Sequence, residues 1–304
     1  MQVVATMTTN SKMSAPMIDK LRGQRQRWSA VSLRSAAAGL AILALGLGGA
    51  RAEPPAAAGA GVQAVDTGQA TDAGQAVVVE LFTSQGCSTC PPADRLLTQL
   101  GSGAGAGQVI PLAFHVDYWN RLGWTDPFSS AEWSARQAKY GRALHVDNVY
   151  TPELVVGGRS ECVGSKRDEV MRQIAAAQAA VPAGKVSIAA AALTGRKVVV
   201  KVEARIERPA HGLELWVALT QSGLTTAVGA GENKAATLHD DYVVRRLEKA
   251  FSLPGKPGSE RSGEVKLAVD SGWDPSKLAV VAFLQDPGTL AIEGAASQAL
   301  TAGR

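Results

Sequence analysis

Different hydrophobic patterns succeed one another along the chain. Residues 35–50 form a run of small and apolar residues without a charge. Ala76–Phe82 is a short, β-branched apolar run, which predicts a strand buried on both faces, and Val109–Phe114 predicts a second. Between them, Ala93–Leu100 sets Leu96, Leu97 and Leu100 on one face of a helix. Ser129–Leu144 also reads as helix, with Ser129 or Ser130 as N-cap and Glu132 in the first turn. Glu153–Val156 and Arg159–Val163 flank Gly157-Gly158, a hairpin pattern, and Arg167–Ala180 predicts a closing helix. The expected order over this stretch is β-α-β-α-β-β-α.

From Lys185 the period changes to two. Val198, Val200, Val202, Ala204 and Ile206 alternate with Lys197, Val199, Lys201, Glu203 and Arg205, the mark of a half-buried strand. Leu213, Leu215, Val217 and Leu219 repeat it, and strand-like runs follow at 242–247, 264–269, 278–284 and 289–292. Short strands separated by Gly, Pro and Asp turns predict a β-sandwich-like unit over 184–304.

Charge and composition bear mainly on the N-terminus. Of 31 basic and 27 acidic residues, seven basic and one acidic fall in residues 1–52, so 53–304 carry a net charge of −2. That excludes a nucleic-acid partner, which needs a basic surface on the folded part. The basic stretch Arg22–Arg34, the apolar run and Ala50-Arg51-Ala52 read together as an export signal over 1–52, with no stable membrane span after cleavage. Residues 53–75, rich in Ala, Gly and Gln, read as a linker, and the folded part as 76–183 followed by 184–304. The expected location is periplasmic or secreted.

The candidate chemistry is Cys87-Ser88-Thr89-Cys90-Pro91-Pro92, at the turn from a strand into a helix. A Cys-x-x-Cys pair near a βαβ pattern reads as a redox motif of the thioredoxin type. The helix N-terminus, with unpaired N–H groups and the positive end of the dipole, favours a thiolate. On this reading Cys87 is the exposed attacking thiol and Cys90 the deeper, resolving one. The residues alone also allow a structural disulfide or half of a metal site, though less readily. Cys162 is expected as a buried thiol. His115 and Asp117 follow the second strand and are candidates for a proton donor or a metal ligand. Tyr118, Trp119, Trp124, Phe128 and Trp133 read as an aromatic wall or as packing. Gly231-Glu232-Asn233 and His239-Asp240-Asp241 read as a cation or partner site, or as polar turns.

Several long motifs carry a resemblance to a known family. Glu80-Leu-Phe-Thr-Ser-Gln-Gly-Cys-Ser-Thr-Cys-Pro-Pro-Ala-Asp94, Phe114-His-Val-Asp-Tyr-Trp119, Leu122-Gly-Trp124, Asp126-Pro-Phe128 and Tyr150-Thr-Pro152 resemble the exported, thioredoxin-like DUF1223 family. The resemblance implies an α/β thioredoxin-like domain, here followed by the mainly-β, sandwich-like unit. It brings no established activity. The wider superfamily implies that Pro152 is a cis-proline beside the cysteines and that Thr151 offers its backbone to an incoming peptide. It also implies that Glu80 relays a proton to Cys90, although Glu80 stands one residue further from Cys87 than the superfamily spacing.

The leading expectation is an exported thiol-disulfide oxidoreductase acting on protein or peptide thiols and disulfides, without a cofactor. Two alternatives stand beside it. One is a non-catalytic binding module with a structural disulfide. The other is a Cu(I)-type metal chaperone using Cys87, Cys90 and His115.

Overall fold

A computed structural model describes residues 76–103 and 108–300. The expected export signal (1–52) and linker (53–75) lie outside the described residues. The elements are β1 (Val77–Thr83), α1 (Pro91–Ser102), β2 (Val109–His115), α2 (Ala131–Ala143), β3 (Glu153–Val156), β4 (Ser160–Val163) and α3 (Arg167–Gln178). They continue with β5 (Gly184–Thr194), β6 (Lys197–Ile206), β7 (Leu213–Gln221), β8 (Leu224–Ala227), β9 (Thr237–Asp240) and β10 (Val243–Leu253). The last three are β11 (Glu260–Ala268), β12 (Leu278–Gln285) and β13 (Ile292–Ala299).

The expected fold class is corrected. The described residues are mainly β, 44% strand and 19% helix, and show no thioredoxin-like α/β core followed by a separate sandwich. One mixed eight-stranded sheet runs β13-β12-β7-β10-β2-β1-β3-β4. Local patterns locate the elements between β1 and α3, but they say nothing about what occupies the free edge of β2. That edge is taken by β10, which pairs Val243 with Ala113 in parallel, while the Ala113 N–H donates to the Tyr242 carbonyl at 2.9 Å. Strands from the second half therefore extend the sheet begun by the first. β11, β6 and β5 form a three-stranded sheet over that extension. Val198, Val200 and Val202 of β6 share a core there with Leu215, Val217 and Leu219 of β7 and Val280 of β12.

β1 and β2 are buried at every position because both faces are covered. Val77, Val79 and Leu81 meet Leu96 and Leu97 of α1 and Ile174 of α3. Val78 and Phe82 point the other way, to Phe114 of β2, Trp133 and Tyr140 of α2 and Phe283 of β12. Ser130 caps α2, its hydroxyl accepting from the Glu132 N–H. Helix α1 begins with Pro91 and Pro92, tolerated because the first-turn N–H groups have no helical partner.

One polar group enters the second of these cores. Glu80 is fully buried and accepts from Arg136 Nε (2.6 Å) and Nη2 (3.0 Å) and from the Tyr140 hydroxyl (2.5 Å). Gln285 of β12 donates to the same hydroxyl at 2.8 Å. The guanidinium also lies over the rings of Phe114, Tyr140 and Phe283, at 5.3–5.6 Å from their centroids. Arg136 thus joins α2 to β1, β2 and β12. Replacing Arg136 with Met should cost about 3–5 kcal/mol, because it leaves the Glu80 carboxylate buried and unpaired. The loss should read as a lower urea midpoint, and adding Glu80→Gln should recover part of it.

Candidate functional site

The site lies at the C-terminal ends of β1 and β2. After Thr83 the chain turns back on itself: the Ser84 hydroxyl accepts from the Gly86 N–H (3.0 Å), and the Cys87 N–H reaches the Ser84 carbonyl (3.1 Å). Cys90 is the N-cap residue of α1. Cys87 and Cys90 are joined in a disulfide with Cα atoms 5.5 Å apart, and both residues are 0% exposed. The Thr151–Pro152 peptide is cis, and Cys87 Sγ lies 3.9 Å from the Thr151 carbonyl oxygen. The Thr89 hydroxyl is 3.3 Å from the same sulfur.

The structure thus brings Cys87, Cys90, Thr151 and Pro152 together. It does not bring Glu80 to them. Glu80 sits among the residues of β1 that face α2, whereas α1 packs on the opposite face. Two further expectations are corrected. Cys87 is not the exposed member of the pair, since both are buried. Nor does the helix offer it free N–H groups. Pro91 and Pro92 have none, and the N–H groups of Ala93 and Asp94 already bond the Cys90 carbonyl at 2.8 and 3.1 Å. What remains for a thiolate is the helix dipole.

Loops from distant parts of the chain fasten the turn. Glu232 accepts from the Ser88 N–H (3.0 Å) and hydroxyl (2.7 Å), and these bonds hold its carboxyl below the ordinary range. The Asn233 amide donates to the carbonyls of Gln85 and Cys87, both at 2.9 Å. Trp119 Nε1 donates to the Thr151 hydroxyl (2.8 Å) and Trp124 Nε1 to the Gln85 amide oxygen (3.2 Å). The expected aromatic wall therefore divides. Trp119 and Trp124 attend the cysteine turn, Trp133 packs on Phe114, and Phe128 meets the ring of His115.

Beside the turn lies a buried ionic cluster. His115, 1% exposed, has Nδ1 2.7 Å from Asp126 Oδ2, while Nε2 faces Asp240 Oδ1 at 4.0 Å without a hydrogen-bond partner. Asp126 also accepts from the backbone N–H of Gln85 and of Phe128. Asp240 accepts from the Gln85 side chain (2.7 Å), and Asp94 from the Thr83 hydroxyl (2.7 Å). Burial opposes the charge on His115, but Asp126, aided by Asp240 and Asp94, outweighs it and lifts the group to about 9. Burial, with Asp240 adding, raises Asp94 to about 7. Asp117 is separate, accepting from the Ser134 hydroxyl at 2.5 Å. Cys162 sits in the core under α1 and α3, and burial pushes its thiol up to about 12. Among the described residues no group of three or more His, Cys, Asp or Glu side chains is placed to hold a metal ion.

Sequence reading left Gln85, Asp94 and Asp126 without roles. They stand inside the quoted motifs, but their partners are up to 155 positions away. Glu232, Asn233 and Asp240 were singled out, with no means of linking them to the cysteines.

The model of a family described as proteins of unknown function (DUF1223) matches residues 78–285. The crystal structure of protein AGR_C_4864 from Agrobacterium tumefaciens is 30% identical, with a TM-score of 0.56, covering 74% of this chain and 94% of that one. HBP35 of Porphyromonas gingivalis is 14% identical with a TM-score of 0.53, covering 75% of this chain and 76% of that one, a likeness of fold alone. None of the curated proteins matches.

The ionic cluster predicts a pH dependence. A group raised on folding stabilises fully below its unfolded value and loses that stabilisation as pH climbs to its folded value. Asp94 should lose it between about pH 4 and 7, and His115 between about 6.5 and 9. Asp94→Asn should therefore flatten the fall of melting temperature between pH 4 and 7. The deficit of His115→Gln should be largest below pH 6.5 and shrink towards pH 9.

Proposed function

Because the chain belongs to the DUF1223 family, whose function is unassigned, its activity has to be read from this site, and we propose that it is thiol-disulfide exchange at Cys87–Cys90. One observation carries the reading: the bond joins the N-cap of α1 to a sulfur lying beside the Thr151 carbonyl, next to Pro152. A partner thiolate attacks Cys87 Sγ. The partner–Cys87 bond forms, the Cys87–Cys90 bond breaks, and its electron pair leaves on Cys90, where the dipole of α1 favours the negative sulfur. A second partner thiolate then attacks the partner sulfur of the mixed disulfide and releases Cys87 as a thiolate. The partner leaves oxidised and the pair is reduced; run backwards, the same steps oxidise a dithiol. Partners on this reading are protein or peptide thiols and disulfides.

An exported location belongs to the same reading, because disulfides persist in oxidising compartments and the run 35–50 has the pattern of an export signal. No helix among the described residues is long and apolar enough to cross a membrane.

A structural disulfide is the second reading, favoured by the burial of both cysteines. The reduction potential separates the two. Exchange predicts a value above about −300 mV, and a lower one would mark a structural bond. A Cys90→Ser variant should accumulate a mixed disulfide at Cys87 when offered a peptide disulfide, visible by mass spectrometry. After gentle reduction near pH 6, iodoacetamide should label the Cys87–Cys90 pair before Cys162, whose thiol is raised to about 12 by burial.

A further inference from the structure

A thin, water-facing segment is fastened to the backbone that carries the buried disulfide. The segment 228–236 joins β8 to β9 and crosses the Cys87–Cys90 turn with its outer side in water: Gly229, Glu232, Lys234 and Ala235 are exposed. The side chains through which it grips the turn are those of Glu232, bound to Ser88, and Asn233, bound to the carbonyls of Gln85 and Cys87. Within the segment only Val228 is buried. Gly229 and Gly231 lie against Trp124, and Gly231 has φ +74°, a conformation that suits glycine. Hydrogen bonds within reach of water are individually weak, and a segment held by few buried apolar groups opens at low free energy.

We propose that residues 228–236 are a removable cover of the Cys87–Cys90 bond, which lifts to admit a thiol to Cys87. The cover and the bond are coupled. Ser88, which Glu232 holds by two hydrogen bonds, lies inside the ring that the disulfide closes, so breaking the disulfide changes the surface the cover grips. By reciprocity, a cover that binds the oxidised turn better is loosened by reduction, and a loosened cover favours reduction. The exchange proposed above gives this device its purpose, but the cover can be tested without it.

The test is the rate at which dithiothreitol reduces the disulfide in the folded full chain, followed by acid quench, alkylation and mass spectrometry. The Glu232→Ala/Asn233→Ala double variant removes the side-chain grip. Lys234→Ala alters an exposed side chain of the same segment. The double variant should be reduced at least about tenfold faster than the unmodified protein, as expected when hydrogen bonds of this kind are lost together. Lys234→Ala should stay within about twofold. A double variant that folds, by circular dichroism and melting temperature, and is reduced within twofold of the unmodified rate would overturn the proposal. Should the double variant fail to fold, Ser88→Ala removes one of the two donors to Glu232 and should still accelerate reduction about threefold. No acceleration there would overturn it equally. Failure of the exchange reading looks different: a potential in the range of structural disulfides, with the accelerations still present.

Discussion

The largely buried Arg136 guanidinium ties the sheet together across the middle of the chain. The Arg136 guanidinium, 11% exposed, is bound by Glu80 and ringed by three aromatic faces from α2, β2 and β12. A carboxylate in the centre of a strand is tolerated only when such a partner is supplied. Here the partner comes from α2, and Phe283 and Gln285 of β12, the latter 149 positions beyond Arg136, complete its surroundings. The same requirement fixes β1. With Glu80 held towards α2, alternation along the strand sends Leu81 and Thr83 towards α1, and Thr83 meets Asp94 there.

The cysteine turn is built on that arrangement and then restrained from outside. The Gln85 and Cys87 carbonyls, the Ser88 N–H and the Gln85 side chain are satisfied by Asn233, Glu232, Thr226 and Asp240, all on or beside the β8–β9 hairpin. These bonds explain how the seven residues between β1 and α1, Ser84–Cys90, keep one shape. The ionic cluster beneath serves the same turn, since Asp126 receives the Gln85 N–H and Asp240 the Gln85 side chain.

Much of the local structure was legible. The period-two pattern of 197–206 matches β6 end to end, and the Gly157-Gly158 signal marks the turn between β3 and β4. The junction of the motif with α1 and the neighbourhood of Thr151 and Pro152 were also readable. What failed was long-range. A strand pattern says that a segment pairs, not with what, so β10 read as part of a second unit when it borders β2. β5 is rich in alanine and gave no alternation to recognise. Glu80 was assigned by motif position, whereas its partner Arg136 lies 56 positions further on, and nothing in the spacing links the two. Ranking the cysteines by the helix N-terminus overlooked that two prolines supply no donors.

The turn between β3 and β4 has one more effect. At Gly158, with φ +66°, a β-carbon would stand 2.0 Å from the Leu290 carbonyl oxygen. Next to it the Ile292 N–H donates to the Gly157 carbonyl at 2.9 Å. A hairpin formed early in synthesis is thus seated against a segment made more than 130 residues later. Such contacts raise the mean sequence separation of the fold, and chains of this kind order slowly because distant ends must meet before the loops between them are repaid. While the C-terminal strands are still missing, β2 has an unpaired edge and the Glu80 carboxylate lacks its full setting. The nascent protein is consequently open to the wrong strand for longest at the edge where its two halves finally join.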